Sequence, residues 1–314
     1  MNTVRGLAAD EAWQSMLSST TSARALVHSS FEHALNLEIA GTLMTLMPAG
    51  VGGVPGGLLL DAATLPRVPA ATPGLVAEGI IRIGSGPDGL AVDARGCEWY
   101  STLVHPVGPV TPLLGRRARL AGRVLGGVAR RGSFRASPAP DPVERAVRRR
   151  LRQHAGAFQG ALAARIGDDP RWLRDDQALV RSVASLVGLG FGLTPSGDDY
   201  LVGSLAILHH LDAGRPAARA VGHAVERHLD QTSAVSATYL RAAAQGRFQQ
   251  SLARACRAAL AEDASALASS FGEVAGVGAT SGTDALHGLA ETLTTLAAAA
   301  RHPHDHHNLQ GSPR

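Results

Sequence analysis

Twelve consecutive residues, Gly188-Leu189-Gly190-Phe191-Gly192-Leu193-Thr194-Pro195-Ser196-Gly197-Asp198-Asp199, combine most of the residue types that chemistry on a small anion would need. Gly188, Gly190, Gly192 and Gly197 allow a tight backbone that can approach a ligand without Cβ interference. Thr194 and Ser196 are N-cap residue types, and Pro195 has the fixed φ suited to a first helical position. Tyr200 to Leu208 then reads as a nearly all-apolar helix. A glycine loop feeding such a helix start favours an anion, through free N–H groups and the helix dipole. Asp198 and Asp199 add two carboxylates to the same turn. That combination suits either an anion carrying a metal or an acid–base step beside a developing oxyanion.

The segment has an echo. Ser196-Gly197-Asp198-Asp199-Tyr200-Leu201-Val202-Gly203 follows S-G-x-D-x-L-x-G, and so does Ser281-Gly282-Thr283-Asp284-Ala285-Leu286-His287-Gly288, preceded by Gly276, Gly278 and Thr280. A single copy reads as a capping box, its hydroxyl and carboxylate each holding a helix-start amide. Yet glycine after serine costs a helix roughly 0.5–1 kcal/mol against alanine. Two copies with that same cost predict two helix N-termini converging on one pocket. Asp198, Asp199 and Asp284 are the candidate catalytic carboxylates. Gly190, Gly192, Thr194, Ser196, Gly197, Thr280, Ser281 and Gly282 are the candidate ligand-binding positions. Thr232, Ser233 and Ser236, at a third hydroxyl-rich helix start, join them.

Other polar residues carry less. His209, His210, His223 and His228 lie in helical stretches without an i, i+4 metal spacing, so no metal-ligand set is read. His287, inside the second copy, is a weaker acid–base candidate. Two cysteines, Cys97 and Cys256, are too few for a disulfide framework or zinc site. All thirty basic residues are arginine, which removes every lysine chemistry. Arginines cluster at 116, 117, 119, 123, 130, 131 and 135 and again from 145 to 152. Without interleaved stacking aromatics this is a solvated or partner-contact face, and no nucleic acid is expected.

The elements that must position these residues are of two kinds, giving an α+β chain. Phe31 to Ile39 alternates apolar and polar residues, Gly41 to Met47 is a second apolar run, and a glycine-rich turn at 49–57 precedes Leu58-Leu59-Leu60. Ile80–Ile83 and Leu90–Val92 flank a Gly84–Gly89 connection. Short strands between Gly/Pro turns predict a β-rich barrel or sandwich-like domain over residues 20–135. A basic helix and the proline stretch Ser137–Pro142 mark its end. An α-helical domain over 141–300 follows, with helices near 177–187, 196–211, 216–230, 232–245, 248–270 and 282–300, and then a disordered His-rich tail at 301–314. No stretch reaches the 18 or more apolar residues of a membrane span, and Met1–Ser22 lacks a signal-peptide core. A cytoplasmic protein without membrane partners is expected.

The long glycine motif resembles the G-x-G-x-G-L-T-P-S-G-D-D signature of a bacterial family that includes the AllH-type subunit of oxamate carbamoyltransferase. Thr232-Ser233-x-x-Ser236-x-x-Tyr239-Leu240 and Gly278-Ala279-Thr280-Ser281-Gly282-Thr283-Asp284 resemble two further blocks of it. The resemblance implies a carbamoyltransferase subunit acting with sister subunits on carbamoyl phosphate or an oxamate-like anion, in allantoin or purine nitrogen catabolism. Amides around Gly192 to Gly197, with Thr194 and Ser196, would hold phosphate or carboxylate. Asp198 or Asp199 would orient the attacking amine or hold a metal, with Ser281 and Asp284 closing the opposite side. Two other readings stay open: a Mg²⁺-dependent phosphoryl-transfer or hydrolytic enzyme using Asp198 and Asp199, and a non-catalytic metabolite-sensing subunit.

Overall fold

The computed structural model describes residues 2–18, 22–86, 89–107, 113–130, 132, 134–135, 139–167, 177–261 and 263–300. They form two compact units. One comprises the chain up to Leu103 together with Arg247–Ser251, the other Val104–Gly246 with the residues from Leu252 onward. The described residues between 104 and 135 belong to the second of these units. The expected His-rich tail and residues 137 and 138 of the proline stretch lie outside the described residues.

The first unit is a barrel of short strands: β1 (Asn2–Asp10), β2 (Ala23–Phe31), β3 (Ala34–Ile39), β4 (Thr42–Pro48), β5 (Gly57–Leu60), β6 (Pro73–Ala77), β7 (Ile80–Ile83) and β8 (Leu90–Asp93), with β9 (Glu98–Tyr100) beside β1. The order β5-β4-β3-β2-β6-β7-β8-β1 closes on itself because β1 pairs parallel to β8 and antiparallel to β5. The alternation read from Phe31 to Ile39 as one strand is the end of β2 and the whole of β3, turned at Glu32-His33. The sequence gives no reading for β1, most of β2, β6 or β9; β1 is a stretch of mostly small and polar residues whose place comes from pairing with both β8 and β5. Leu35, Leu37, Ile39, Leu46, Leu58, Leu60, Ile81 and Val92 fill the interior with Trp13 from the turn before α1 (Gln14–Leu17). Trp13 Nε1 donates to the Gly56 carbonyl at 3.0 Å.

The glycine-rich turn at 49–57 is explained by packing. A Cβ on Gly53 or on Gly57 would lie 2.7 Å from Tyr100, whose hydroxyl donates to the Val54 and Gly57 carbonyls.

The second unit holds α2 (Leu114–Val128), α3 (Pro142–Gly167), α4 (Gln177–Ala184), α5 (Ser196–His209), α6 (Arg215–Glu226), α7 (Ala234–Ala244), α8 (Gln250–Leu260), α9 (Ala264–Ala275) and α10 (Ser281–Ala299). The helix expected over 248–270 is two helices, because Asp263 accepts the Ser265 and Ala266 amides at 2.8 and 3.0 Å and starts α9 afresh. The most extensive packing between helices is α5 against α10. A Cβ on Gly203 would lie 1.8 Å from the Ala285 carbonyl oxygen, and one on Gly288 would lie 1.9 Å from that of Tyr200. These are matching positions of the two S-G-x-D-x-L-x-G copies, so each copy's last glycine meets the same backbone position of the other. The crossing is a pseudo-two-fold contact between two helix–loop–helix hairpins, α4–α5 and α9–α10. No described helix is long and apolar enough to cross a membrane.

Candidate functional site

Neither motif helix is capped by a side chain. Pro195, rather than Ser196, is the N-cap of α5, Thr280 is that of α10, and neither makes a side-chain cap bond. The capping-box role therefore falls away, and the hydroxyls and carboxylates point elsewhere. The first glycine of each copy seats the helix start on the preceding hairpin arm. A Cβ on Gly197 would lie 2.1 Å from the Leu186 carbonyl oxygen, and one on Gly282 would lie 1.7 Å from that of Val274.

The two starts meet. Thr194 Oγ1 and Ser281 Oγ share a hydrogen bond of 2.8 Å. Asp199 hydrogen-bonds with both hydroxyls through one part of its carboxyl, while Oδ2 is buried with no hydrogen-bond partner among the described residues. Burial first and the Asp284 charge second hold the Asp199 carboxyl well above the usual carboxylate range. Asp284 is itself fully buried and accepts the Phe134 amide at 3.4 Å. The charge of Asp284 thus acts on Asp199, the carboxyl at the equivalent position of the other copy.

Asp198 differs. Its Oδ1 accepts the Gly188 amide at 2.8 Å, and its Oδ2 accepts the Ser236 hydroxyl at 2.6 Å and the Thr232 hydroxyl. Burial raises its pKa, and these three bonds oppose the rise. Ser233 donates to the Leu193 carbonyl and caps α7 by accepting the Ser236 amide. Thr232, Ser233 and Ser236 thus hold the glycine loop and its carboxylate, while Ser233 also caps its own helix.

The expected cradle of amides is smaller than the motif suggested. The Gly197 amide donates to Leu189, and those of Asp198 and Asp199 donate to Pro195. The loop is nonetheless glycine-shaped, with φ of +73°, +135° and +88° at Gly188, Gly190 and Gly192. A Cβ on Gly190 would lie 2.5 Å from the Ser196 amide nitrogen. Gly192 has open space, and Phe191 beside it is 61% exposed. Gly282, Thr280 and Ser281 form the second helix start, where Gly278 has φ of +61°.

Sequence reasoning missed the groups behind this pair. Arg130 crosses over the second copy, its amide donating to Thr283 Oγ1 and its guanidinium to the Gly278 carbonyl, both at 3.1 Å. Phe134 stacks between Tyr200 and His287, with ring centroids 5.0 and 5.3 Å away. Buried Tyr200 donates to Glu291 Oε2 at 2.7 Å and accepts from Gln159 Nε2 at 2.8 Å. Burial, then the Glu291 charge, pushes the Tyr200 hydroxyl well above its usual range. Only Tyr200 and His287 lay within a motif. Of the other histidines, His210 is fully buried with Nδ1 2.7 Å from the Ala206 carbonyl, and burial, with Arg215 next, pushes His209 down to about 4. Among the described residues no group of three or more His, Cys, Asp or Glu is placed to hold a metal ion.

A closed barrel followed by paired glycine-motif hairpins defines the class. Residues 186–293 match the family described as oxamate carbamoyltransferase subunit AllH, and residues 5–99 match the AllH family N-terminal domain. The chain belongs to the AllH family, and it is a carbamoyltransferase-related subunit. No solved structure matches it.

Proposed function

We propose that the paired starts of α5 and α10 bind carbamoyl phosphate or an oxamate-like anion in a carbamoyltransferase assembled with sister subunits, in nitrogen catabolism of the allantoin type. The observation that carries this reading is the buried Asp199 Oδ2, without a hydrogen-bond partner among the described residues, close enough to Asp284 to feel its charge, at the junction made by Thr194 and Ser281. The dipoles of both helix starts favour the anion. One proton shared by the two carboxyls keeps them from repelling it as a double negative charge. The acceptor nitrogen attacks the carbamoyl carbon, and the bond from that carbon to the phosphate oxygen breaks. Phosphate leaves, and the nitrogen's proton passes to the carboxylate of the Asp199–Asp284 pair. Asp198, Thr232, Ser233 and Ser236 are positioning residues that fix the loop. The family name supports the reaction class.

The test is thermal unfolding with carbamoyl phosphate and with oxamate. Ligand at ~100 times its dissociation constant adds roughly 2.7 kcal/mol to folding stability. That gain is expected for the wild type and lost in Asp199→Asn. Absence of any shift, or an equal shift in the variant, overturns the assignment of the ligand to this junction.

A further inference from the structure

A concave feature lies on α2. Leu113, Arg116, Arg117, Arg119, Leu120, Arg123 and Ala261 line a groove of about 380 Å³. The helix explains its make-up. Leu114, Ala118, Ala121 and Leu125 form the buried stripe of α2, which packs on α9 and α10. The face bearing the arginines is left to line the groove. α2 contains no acidic residue, and no carboxylate lines the groove among the described residues. Arg116, Arg119 and Arg123 are exposed and make no ion pair among the described residues. Arg116 with Arg119 and Arg119 with Arg123 stand at i, i+3 and i, i+4, spacings at which like charges repel. A solvated arginine face gains nothing from being concave, whereas a bound polyanion would turn that repulsion into attraction.

We infer that this groove binds a small organic polyphosphate, its phosphates bridged by the guanidiniums of Arg116, Arg119 and Arg123 and its apolar part lying on Leu113, Leu120 and Ala261. Guanidinium forks match phosphate oxygens in pairs, so a chain of phosphates can engage several at once. The volume falls at the small end of the range for ligand pockets. The groove is a different site from the α5–α10 junction. Arg116 lies about 20 Å along the helix direction from Arg130, the residue that reaches the second motif copy.

The test is calorimetric titration of the full chain with tripolyphosphate, ATP and AMP at two salt concentrations. We expect saturable binding of tripolyphosphate and ATP that weakens with added salt, with AMP much weaker. Replacing the exposed residues together, by Arg116→Gln, Arg119→Gln and Arg123→Gln, should weaken binding at least about tenfold, while Asp199→Asn leaves it unchanged. Tighter binding of ATP than of tripolyphosphate is expected from the apolar lining, and equal binding would overturn the organic part of the proposal. No saturable binding, or binding unchanged in the triple variant, overturns the proposal. Loss of polyphosphate binding leaves the carbamoyl phosphate test at Asp199 untouched, so the two assignments fail separately.

Discussion

At α5 the residue after Ser196-Gly197 is Asp198, whose carboxylate takes an amide and two hydroxyls from outside its own helix. At the same place in α10 stands Thr283, which takes the single amide of Arg130. The loop before α5 carries three glycines with positive φ and an exposed phenylalanine, whereas Gly278 is the positive-φ glycine of the loop before α10. The parts that match are Gly197 with Gly282 and Gly203 with Gly288, all backbone-to-backbone contacts, and Asp199 with Asp284. What the copies share is therefore the crossing and its carboxyl pair. What separates them is the machinery holding the first loop in shape. The two hairpins supply the same scaffold, and only the first carries the additional loop contacts.

The strongest way to break this comparison is at the crossing itself. If the contact is a true pseudo-two-fold, Gly203→Ala and Gly288→Ala must cost alike, since each Cβ would meet a backbone carbonyl that cannot swing aside. A loss of about 3 kcal/mol or more is expected for each, at or beyond the upper end of ordinary overpacking. Urea unfolding midpoints measure it. Gly272→Ala, on an exposed turn of α9 with nothing near its Cβ, is the control and should gain roughly 0.5–1 kcal/mol from helix propensity. A large loss at one crossing glycine and a small one at the other would mean that the helices are related by sequence and not by contact.

The second prediction sharpens the difference between the copies. Asp198→Ala strands the Gly188 amide and the Thr232 and Ser236 hydroxyls, and should cost about 3 kcal/mol, given roughly 1–3 kcal/mol for each buried group left unpaired. Thr283→Val strands one amide and should cost about 1 kcal/mol. Equal losses in chemical unfolding would show that the two positions do the same work.

Much of this was legible in the chain, and the remainder has physical causes. The S-G-x-D echo located both helix starts because glycine in a first turn is expensive and is kept only where a backbone must come close. The apolar run from Tyr200 to Leu208 marked α5 for the same reason that it is buried, with the helix surrounded by protein on most sides. The roles of the individual side chains were not legible. Ser-x-x-Asp is the same string whether it caps its own helix or reaches across to another, and only the Thr194–Ser281 bond separates these. Phe134 and Arg130 gave no local signal, since their contacts are with residues far along the chain. β1 was invisible because its sequence is not strand-like by itself and both of its barrel-closing neighbours come much later.

The carboxyl pair that both copies retain gives the smallest effect and the most pointed one. Asp199 binds its proton more tightly in the folded chain than in the unfolded one, because burial and Asp284 disfavour its charge. From about pH 4, where an unfolded aspartate titrates, up to the raised folded value, the native state holds more protons. Stability carried by the protonated form is therefore complete below about pH 4 and is lost as the pH rises through that folded value. Asparagine at this position keeps an oxygen for Thr194 and Ser281, carries no charge, and can present its amide N–H to Asp284. Asp199→Asn should then be more stable than the wild type at pH 8, by about 1 kcal/mol, the ordinary size of a point-mutation effect. Thermal melts from pH 4 to 8 should show that advantage shrinking to nothing at the acid end. A residue retained only for packing would lose stability on this change at every pH. A gain that appears only above about pH 4, together with lost ligand binding, marks one kept at a cost in stability for what it does to a ligand.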